Sequence, residues 1–374
     1  MALRNKRIQI YSLLQQLYSE IPYKLFKSGW AFPPWYYHIE FTRRCNLRCR
    51  MCLNIQYLEN VPLQKQKEEE LTTDEWLKVI NQIGRFSLIT FSGGEPMHRS
   101  DFFEVLEAAS KKTCTHYLSN LTLLTDSYAE KTIDLAAKRL GGKGLNFVGV
   151  SLDGPEEIHN HIRRHPNAFG LTTNALVKLN EIRKTKKKKY PILHITTVIQ
   201  QANIDVLEYI PEIVASLGVH VVNFVMETRI GDVPDLLNKS FHEWKSTDAN
   251  GPYIERERLE KACLRTEQMA QKYGVEIRWP KVPHEELLNY YENKINLDHY
   301  ICRSPWNFMG ISTNGDVFTC PLCKIGTIEK NSLKELWNSE KSLGFRQTCR
   351  EHLFPLCPGC CFLEYSKTKA NNDQ

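Results

Sequence analysis

One stretch decides the fold: FTRRCNLRCRMC at residues 41–52, which follows the strand-like run WYYHIEF at residues 35–41. The stretch places three cysteines within eight residues, Cys45, Cys49 and Cys52, with the spacing C-x3-C-x2-C. Thiolates this close in sequence converge on one metal centre when a loop curls around it. A structural zinc site or a closed four-iron cluster takes four protein ligands. Three cysteines therefore leave one coordination position open for a molecule that reacts.

Strand and helix patterns alternate from Trp35 to about Glu227. Runs rich in β-branched and aromatic residues predict six strands, at 35–42, 87–92, 115–119, 146–151, 192–199 and 220–225. Amphipathic periodicity predicts the helices between them, at 73–84, 101–111, 126–139, 171–184 and 204–217. Such alternation builds a parallel sheet through right-handed connections. The fold class is therefore α/β, a partial (β/α)6 TIM-like barrel with ligands expected at the carboxyl ends of its strands.

The remaining segments suggest four domains in all. Residues 1–34 form an N-terminal helical extension with a helix from Ile8 to Leu25, either packed outside the barrel or docking a substrate peptide. The barrel core covers 35–228, and a helical bridge covers 229–300, with helices at 254–273 and 284–294. Residues 301–374 are turn-rich and dense in cysteine, with too little apolar content for a core of their own. Small modules of this composition are usually held together by metal.

Composition limits the class of protein. The chain has 374 residues, 42% hydrophobic and 25% charged, with a net charge of +6, which is too modest and too diffuse to indicate a nucleic-acid partner. No window of about 20 apolar residues predicts a membrane span. Residues 1–7 lack the apolar region of a secretory signal. We therefore expect a cytoplasmic protein. Twelve cysteines in a reducing compartment indicate metal sites rather than disulfides.

A glycine pair follows the second predicted strand. The sequence there is Gly93-Gly94-Glu95-Pro96. Without a Cβ, adjacent glycines let the backbone approach a ligand closely, and Glu95 adds an acceptor for an amino group. Alone, the motif is as typical of an ordinary turn. Its place one strand–helix unit after the three cysteines favours a functional role.

The third and fourth predicted strands also end in polar residues. Ser119 and Asn120 end the third strand and suit a pair of ribose hydroxyls, although a helix cap or turn explains them equally well. Ser151 ends the fourth strand, within SLDG at 151–154, and Arg163 follows twelve residues later. A hydroxyl and a guanidinium in this arrangement can hold a carboxylate. By itself, Arg163 is more typical of a surface residue.

Taken together, these motifs resemble those of the radical S-adenosylmethionine (SAM) superfamily. The resemblance rests on C-x3-C-x2-C, on GGEP at 93–96 and on the "SLDG…R" element of peptide-modifying members, and it spans roughly 35–228. It implies a [4Fe–4S] cluster held by Cys45, Cys49 and Cys52, with SAM on the fourth iron. One electron would cleave SAM to methionine and a 5′-deoxyadenosyl radical, which abstracts hydrogen from a substrate.

The same resemblance implies roles for the residues at the strand ends. Gly93, Gly94 and Glu95 would bind the methionine amino group of SAM. Ser119 and Asn120 would lie near its ribose. Ser151 and Arg163 would lie near its carboxylate.

The C-terminal cysteines have a pattern of their own. An Asn-Gly turn at 314–315 between two strand-like runs predicts a hairpin that brings Cys302 and Cys320 together. With the later C-x2-C of Cys357 and Cys360, the spacing C-x12-G-x4-C resembles the SPASM and twitch domains of radical SAM enzymes. That resemblance implies an auxiliary [4Fe–4S] cluster on these four cysteines. Three further cysteines, at 323, 349 and 361, leave open a second, incomplete cluster or a substrate-binding site, and a zinc ribbon is the alternative for the whole C-terminal set.

The resemblance implies an enzyme, a radical SAM oxidoreductase or maturase. The first hypothesis is oxidation, cross-linking or epimerisation of a peptide or protein side chain, although residues 1–34 are shorter than the leader-binding domains of many peptide maturases. The second is a small-molecule dehydrogenase or rearranging enzyme of a biosynthetic pathway. A non-catalytic iron–sulfur or zinc protein is the third, and the open cysteine triad argues against it. Expected partners are the peptide or small-molecule substrate and an electron donor such as flavodoxin or ferredoxin.

Overall fold

The computed structural model describes residues 6–228 and 252–366. The first part of the predicted bridge, 229–251, lies outside the described residues, as do 1–5 and 367–374. Described strands, numbered in chain order, are β1 Tyr36–Thr42, β2 Leu88–Gly93, β3 Cys114–Ser119, β4 Gly144–Ser151, β5 Ile192–Ile199, β6 Val221–Met226, β7 Glu276–Arg278, β8 Tyr300–Ile301, β9 Phe308–Ile311, β10 Asp316–Cys320, β11 Cys323–Thr327 and β12 Glu364–Tyr365.

Helices connect these strands. Described α-helices are α1 Lys6–Leu25, α2 Ile55–Asn60, α3 Leu63–Glu68, α4 Thr73–Gln82, α5 Phe102–Lys112, α6 Asp126–Asp134, α7 Glu156–Arg163, α8 Ala168–Thr185, α9 Ile210–Ser216, α10 Arg256–Tyr273, α11 His284–Tyr291, α12 Leu333–Trp337 and α13 Glu340–Glu351. Short 3-10 helices occupy Pro96–His98, Ile204–Tyr209, Leu297–His299 and Ser304–Trp306. The six predicted strands are confirmed within two residues at each end, and every predicted helix of the barrel is present.

Ten strands form one sheet, in the order β11-β10-β9-β1-β2-β3-β4-β5-β6-β7. Strands β1 to β7 run parallel, and β9 pairs parallel to β1, while β10 and β11 continue antiparallel. The partial barrel is thus confirmed. Strand β7, from the predicted bridge, extends one edge, and the predicted C-terminal hairpin extends the other. The four predicted domain boundaries stay a prediction.

The two faces of the sheet differ in polarity. On β1, Tyr37, Ile39 and Phe41 are buried in the core, where Phe41 packs against Trp76 of α4 and Phe102 of α5. Because successive side chains alternate across a strand, Tyr36, His38 and Glu40 lie on the opposite face. The apolar face is covered by helices, and the polar face lines the interior of the barrel.

The N-terminal segment is fastened to the C-terminal module. Arg346 of α13 is fully buried, and its guanidinium donates to the carbonyl oxygens of Gly29 (3.2 Å), Pro305 (2.7 Å) and Trp337 (2.8 Å). Asn338 Oδ1 accepts a fourth bond (2.9 Å), and no carboxylate of the described residues pairs with this guanidinium. Burial lowers the pKa of Arg346 to about 9. Among the described residues, no helix is both long and apolar enough to cross a bilayer.

Candidate functional site

The cysteine loop is fixed by the glycine pair after β2. The Gly94 amide donates to the Thr42 carbonyl (2.7 Å), and the Glu95 amide donates to the Arg44 carbonyl (2.9 Å). Gly93 has a φ of +134°, and a Cβ there would stand 2.0 Å from the Thr42 oxygen. The close approach that the glycines allow is therefore, in this structure, an approach to the cysteine loop itself. Whether they also contact SAM stays a prediction.

The three cysteines of the loop are largely shielded from solvent. Cys49 is buried, and Cys45 and Cys52 are partly buried. Burial raises the pKa of the Cys45 thiol to about 12 and also raises that of Cys52. A thiol becomes a ligand by losing its proton to solvent as it coordinates the metal. The loop is therefore a site whose thiolates form when metal binds.

Two side chains from elsewhere donate to this loop. Asn120 Nδ2 lies 3.9 Å from Cys45 Sγ, and Arg163 Nη1 lies 3.7 Å from Cys49 Sγ. The backbone amide of Leu47 adds a bond of 3.4 Å to Cys45 Sγ. Hydrogen bonds to a ligand sulfur orient it and tune the metal centre.

The carboxylate of Glu95, which follows β2, connects the ends of β2 and β3 through hydrogen bonds. Its Oε1 accepts from Ser119 Oγ (2.8 Å) and from the Met97 amide (3.1 Å), and its Oε2 accepts from the Asn120 amide (2.8 Å). Burial raises the pKa of Glu95 to about 7, and these three bonds oppose that rise. A carboxylate accepts about four hydrogen bonds, so at most one site remains for a ligand amino group.

Thr122 belongs to the same network, although the sequence did not point to it. Its hydroxyl donates to Asn120 Oδ1 (2.7 Å) and accepts from Asn46 Nδ2 (2.7 Å), inside the cysteine loop. Only its position two residues after Asn120 could have suggested this role. The β3 end thus holds the loop through side chains as well as through Glu95.

Asp153 is a second residue that sequence reasoning missed. It lies within the SLDG motif, is fully buried and accepts from Arg163 Nε at 2.7 Å. Arg163 is also buried, and its pKa is raised, although burial opposes the charge, because Asp153 and Cys49 favour the cationic form. Ser151 is half-buried at the end of β4. Asp153 therefore anchors Arg163, and the binding of a carboxylate by Ser151 and Arg163 stays a prediction.

The C-terminal cysteines gather around a small apolar cavity. Five of them line it: Cys302, Cys320, Cys349, Cys357 and Cys360. These are the four predicted ligands of an auxiliary cluster plus Cys349, whose thiol hydrogen-bonds with that of Cys302. Cys349 lies on α13, a helix that the sequence did not predict. Cys323 is buried and does not line the cavity, and Cys361 opens on a different one.

That second cavity has a volume of about 670 Å³. It lies between the polar face of the sheet, at Tyr36, Thr90 and His116, and the C-terminal segment 361–365. Cys361 faces it, next in sequence to the predicted ligand Cys360. Arg303 lines it too, paired with Glu364 and, at 3.2 Å, with Glu20.

Hydrogen bonds connect the polar face of the first three strands. Strand register places His38 beside Thr90, and Thr90 beside His116. The hydroxyl of Thr90 forms hydrogen bonds with His116 Nδ1 (3.1 Å) and with Tyr36. The ring of His38 forms hydrogen bonds with Tyr36 (3.3 Å) and with Ser92 (2.6 Å). His116 Nε2 is buried without a hydrogen-bond partner among the described residues.

Burial keeps these imidazoles neutral. It lowers the pKa of His38 to about 4 and that of His116 well below its usual value, where His194 also contributes. The ring centroids of His116 and His194 lie 5.2 Å apart. Glycine at position 149 leaves space for both rings, because a Cβ there would stand 2.7 Å from His194 Nε2. The interior of the barrel therefore offers uncharged hydrogen-bonding groups.

Both cysteine sets fit iron–sulfur clusters by the chemistry of their donors. Three thiols around one loop fit a cluster with an open iron, and five around an apolar cavity are enough for the four ligands of a closed cluster. Among residues 6–228 and 252–366, no three His, Cys, Asp or Glu side chains stand close enough to hold a single metal ion. In a [4Fe–4S] cluster each thiolate binds a different iron, so its ligands need not meet at one point.

Family models match both parts of the chain. The radical SAM superfamily model matches residues 39–199, and the SPASM iron–sulfur cluster-binding domain matches residues 302–361.

Three relatives are similar to this chain over most of their length. A tungsten-containing aldehyde ferredoxin oxidoreductase cofactor-modifying protein of Pyrococcus furiosus is 24% identical over 345 residues, covering 87% of this chain and 86% of the relative. The AdoMet-dependent heme synthase of Methanosarcina barkeri is 26% identical over 322 residues, covering 80% and 81%. A PqqA peptide cyclase of Granulibacter bethesdensis is 24% identical over 318 residues, covering 82% and 74%.

A solved structure shares the fold. Streptococcus suis SuiB bound to its precursor peptide SuiA matches with a TM-score of 0.61 at 15% identity, covering 90% of this chain and 72% of the other. Motifs, fold and family matches agree. The protein uses SAM, a [4Fe–4S] cluster that binds it and at least one auxiliary [4Fe–4S] cluster. The chain belongs to the radical SAM superfamily, as an enzyme with a C-terminal SPASM domain.

Proposed function

We propose that this enzyme removes hydrogen from a peptide or protein side chain, which is then oxidised, cross-linked or epimerised. When bound, the first cluster and SAM supply the hydrogen-abstracting radical. The chain's own residues hold the substrate, exclude water and accept the proton that an oxidation releases. The relatives named above include a peptide cyclase, and the solved neighbour carries a precursor peptide.

The 670 Å³ cavity is the observation that carries the proposal. Its wall at Tyr36, Thr90 and His116 belongs to β1, β2 and β3, the strands that lead to the cysteine loop, to Gly93–Glu95 and to Ser119–Asn120. Its opposite wall includes Cys361, whose thiol hydrogen-bonds with that of Cys360 of the auxiliary set. The substrate would enter here, beside the C-terminal cysteines, and extend along the polar face of the sheet toward the cysteine loop.

His116 is our candidate for the proton acceptor. Its Nε2 has no partner in the described structure, and its Nδ1 bonds Thr90. If Nδ1 carries the proton and donates to Thr90, Nε2 keeps a lone pair that no described group uses, beside Gly149 in the barrel interior. A neutral imidazole in this state accepts a proton as a substrate radical loses its electron.

The remaining site residues are proposed in the roles that the family motifs imply. Cys45, Cys49 and Cys52 would ligate the first cluster. Ser151 and Arg163 would contact the SAM carboxylate. No described bond uses Arg163 Nη2, which leaves that nitrogen for the carboxylate.

Glu95 and the Gly93–Gly94 backbone would bind the SAM amino group, and Ser119 and Asn120 would lie near the ribose. Four of the five cysteines around the apolar cavity would ligate the auxiliary cluster. An electron donor such as flavodoxin or ferredoxin, and a cytoplasmic location, stay predictions.

A small-molecule substrate is the second candidate. A cavity of this volume lies within the range of small-molecule sites, about 300–1,000 Å³. Two of the relatives are named for a cofactor modification and for heme synthesis, which also favours it. The reaction would then be a dehydrogenation or rearrangement within a biosynthetic pathway.

Deuterium transfer distinguishes the two candidates. An extract of the source organism grown in deuterated medium is separated into a peptide and protein fraction and a fraction below about 1 kDa. Each is incubated anaerobically with the reconstituted enzyme, SAM and dithionite. We expect deuterium in 5′-deoxyadenosine from the peptide and protein fraction. Transfer from the small-molecule fraction alone would favour the second candidate and overturn the first.

A further inference from the structure

The three thiols of the cysteine loop have unequal surroundings. Asn120 donates to Cys45 from an uncharged amide at 3.9 Å, whereas Arg163 donates to Cys49 from a guanidinium at 3.7 Å. Cys49 is also the most buried of the three. A charge-assisted bond to a buried sulfur acts in a low local dielectric, where its effect on the sulfur is largest.

Arg163 is held in place from both ends of its guanidinium. Nε donates to Asp153 Oδ2 at 2.7 Å, while Nη1 points to Cys49. Asp153 is itself fixed, because its Oδ1 accepts from the Val198 amide (3.4 Å) and its own amide donates to His159 Nδ1 (3.2 Å). Since that ring nitrogen accepts a hydrogen bond, His159 is neutral and does not compete for the carboxylate.

A backbone hydrogen bond sets the distance between the cysteine loop and α7. The Arg50 amide, next to Cys49, donates to the carbonyl of Ile162 at 2.9 Å. Arg163 follows directly and ends α7, and Arg164 leaves the helix in a left-handed conformation with φ of +53°. A backbone bond therefore joins the cysteine loop to the end of α7 and keeps Arg163 beside Cys49.

We propose that Arg163, positioned by Asp153, raises the reduction potential of the first cluster through its hydrogen bond to Cys49. Reduction adds one negative charge to the cluster and its thiolates. A donor on a ligand sulfur stabilises that added charge more than it stabilises the oxidised state, so the electron enters more easily. Arg163 acts here through Cys49, as a positioning residue for electron entry, whatever the substrate is.

The test is an anaerobic redox titration of the reconstituted full chain, followed by electron paramagnetic resonance without SAM. The signals of the auxiliary site are identified in a variant with alanine at Cys45, Cys49 and Cys52. We expect Arg163→Gln to shift the potential of the first cluster downward and to leave the auxiliary potential unchanged. Arg163→Lys, which keeps the charge but lacks the planar guanidinium that holds Asp153 and Cys49 in a fixed geometry, is expected to fall between Arg163→Gln and the wild type.

Arg164→Gln is the matched control. Arg164 is the next residue, is exposed and pairs with Glu59 at 2.8 Å, so its loss is expected to change neither potential. A wild-type first-cluster potential in Arg163→Gln would overturn the proposal. So would an equal shift of both clusters, which would mean general loosening. If Arg163→Gln holds no first cluster, Arg163→Lys decides by the same criteria, and loss of the cluster from both would also overturn it.

Discussion

Gly94 lies against the carbonyl oxygen of Arg44, so that a Cβ on Gly94 would stand 2.2 Å from that oxygen. We expect Gly94→Ala to push the cysteine loop away from β2 and to lower the amount of iron bound at the first site. The free energy of unfolding should fall by about 1–3 kcal/mol or more. Iron analysis and thermal unfolding measure both effects. Gly344→Ala on α13 is the control, because a Cβ there meets nothing within 4 Å and alanine favours the helix by about 0.5–1 kcal/mol. Equal iron content in both variants would contradict this role of Gly94.

Asp153 and Arg163 form a buried ion pair, so removal of one charge leaves the other uncompensated. We expect Asp153→Asn to lower the free energy of unfolding by about 3–5 kcal/mol. Asp205→Asn is the matched control, because Asp205 pairs with Arg258 at the surface and its loss should cost at most about 1 kcal/mol. Denaturant unfolding of the two variants under the same anaerobic conditions compares them. A similar loss of unfolding free energy in both variants would contradict a buried ion pair between Asp153 and Arg163.

His194 makes stability depend on pH. Burial, with Arg278 nearby, lowers the pKa of His194 to about 4, below the ordinary 6.5. Between these values the unfolded chain binds a proton that the folded chain does not, so stability falls as the pH drops from 6.5 toward 4. One such group contributes a loss of about 1 kcal/mol between pH 7.5 and 5.5. We expect His194→Gln to lose less stability than the wild type over this interval, as measured by unfolding at both pH values. An unchanged difference would argue against a neutral His194.

Iron content distinguishes the cysteines of the auxiliary site from Cys323. Cys357 lines the apolar cavity with four other cysteines, whereas Cys323 lies outside it near Arg346. We expect Cys357→Ala to lose about four irons per chain, the content of one [4Fe–4S] cluster, and Cys323→Ala to lose none. Iron and sulfide analysis after anaerobic reconstitution measures this. Loss of iron from Cys323→Ala would instead indicate a second auxiliary cluster.

Local patterns were enough to predict the barrel. Hydrophobic periodicity and turn residues are properties of short windows, so the strands and helices from β1 to β6 could be located closely. Pairing between distant segments is not local. Nothing around Phe308–Ile311 shows that this strand lies parallel to β1, 266 or more residues earlier in the chain, and the short β7 gives no periodic signal. Helix α13 was missed because glycine, threonine and charged residues obscure its apolar face.

The same distinction applies to the site. Motif spacing identified the cysteines and the strand-end residues, because each motif is contiguous in sequence. Asp153 was inside a quoted motif, but its role depends on Arg163 reaching back across ten residues to it. Thr122, Cys349 and His116 belong to the site only through folding, which brings them to Asn46, Cys302 and the cavity. Their partners are far away in sequence, and no window around them shows the connection.

Release of 5′-deoxyadenosine tests the central claim most directly. The anaerobically reconstituted protein is incubated with SAM and dithionite, and the nucleoside is measured by mass spectrometry. We predict its formation by the wild type, its loss on alanine substitution of Cys45, Cys49 or Cys52, and its persistence in Cys357→Ala. Absence of 5′-deoxyadenosine from a wild-type protein with its full iron content, or its undiminished formation by Cys45→Ala, would contradict the account.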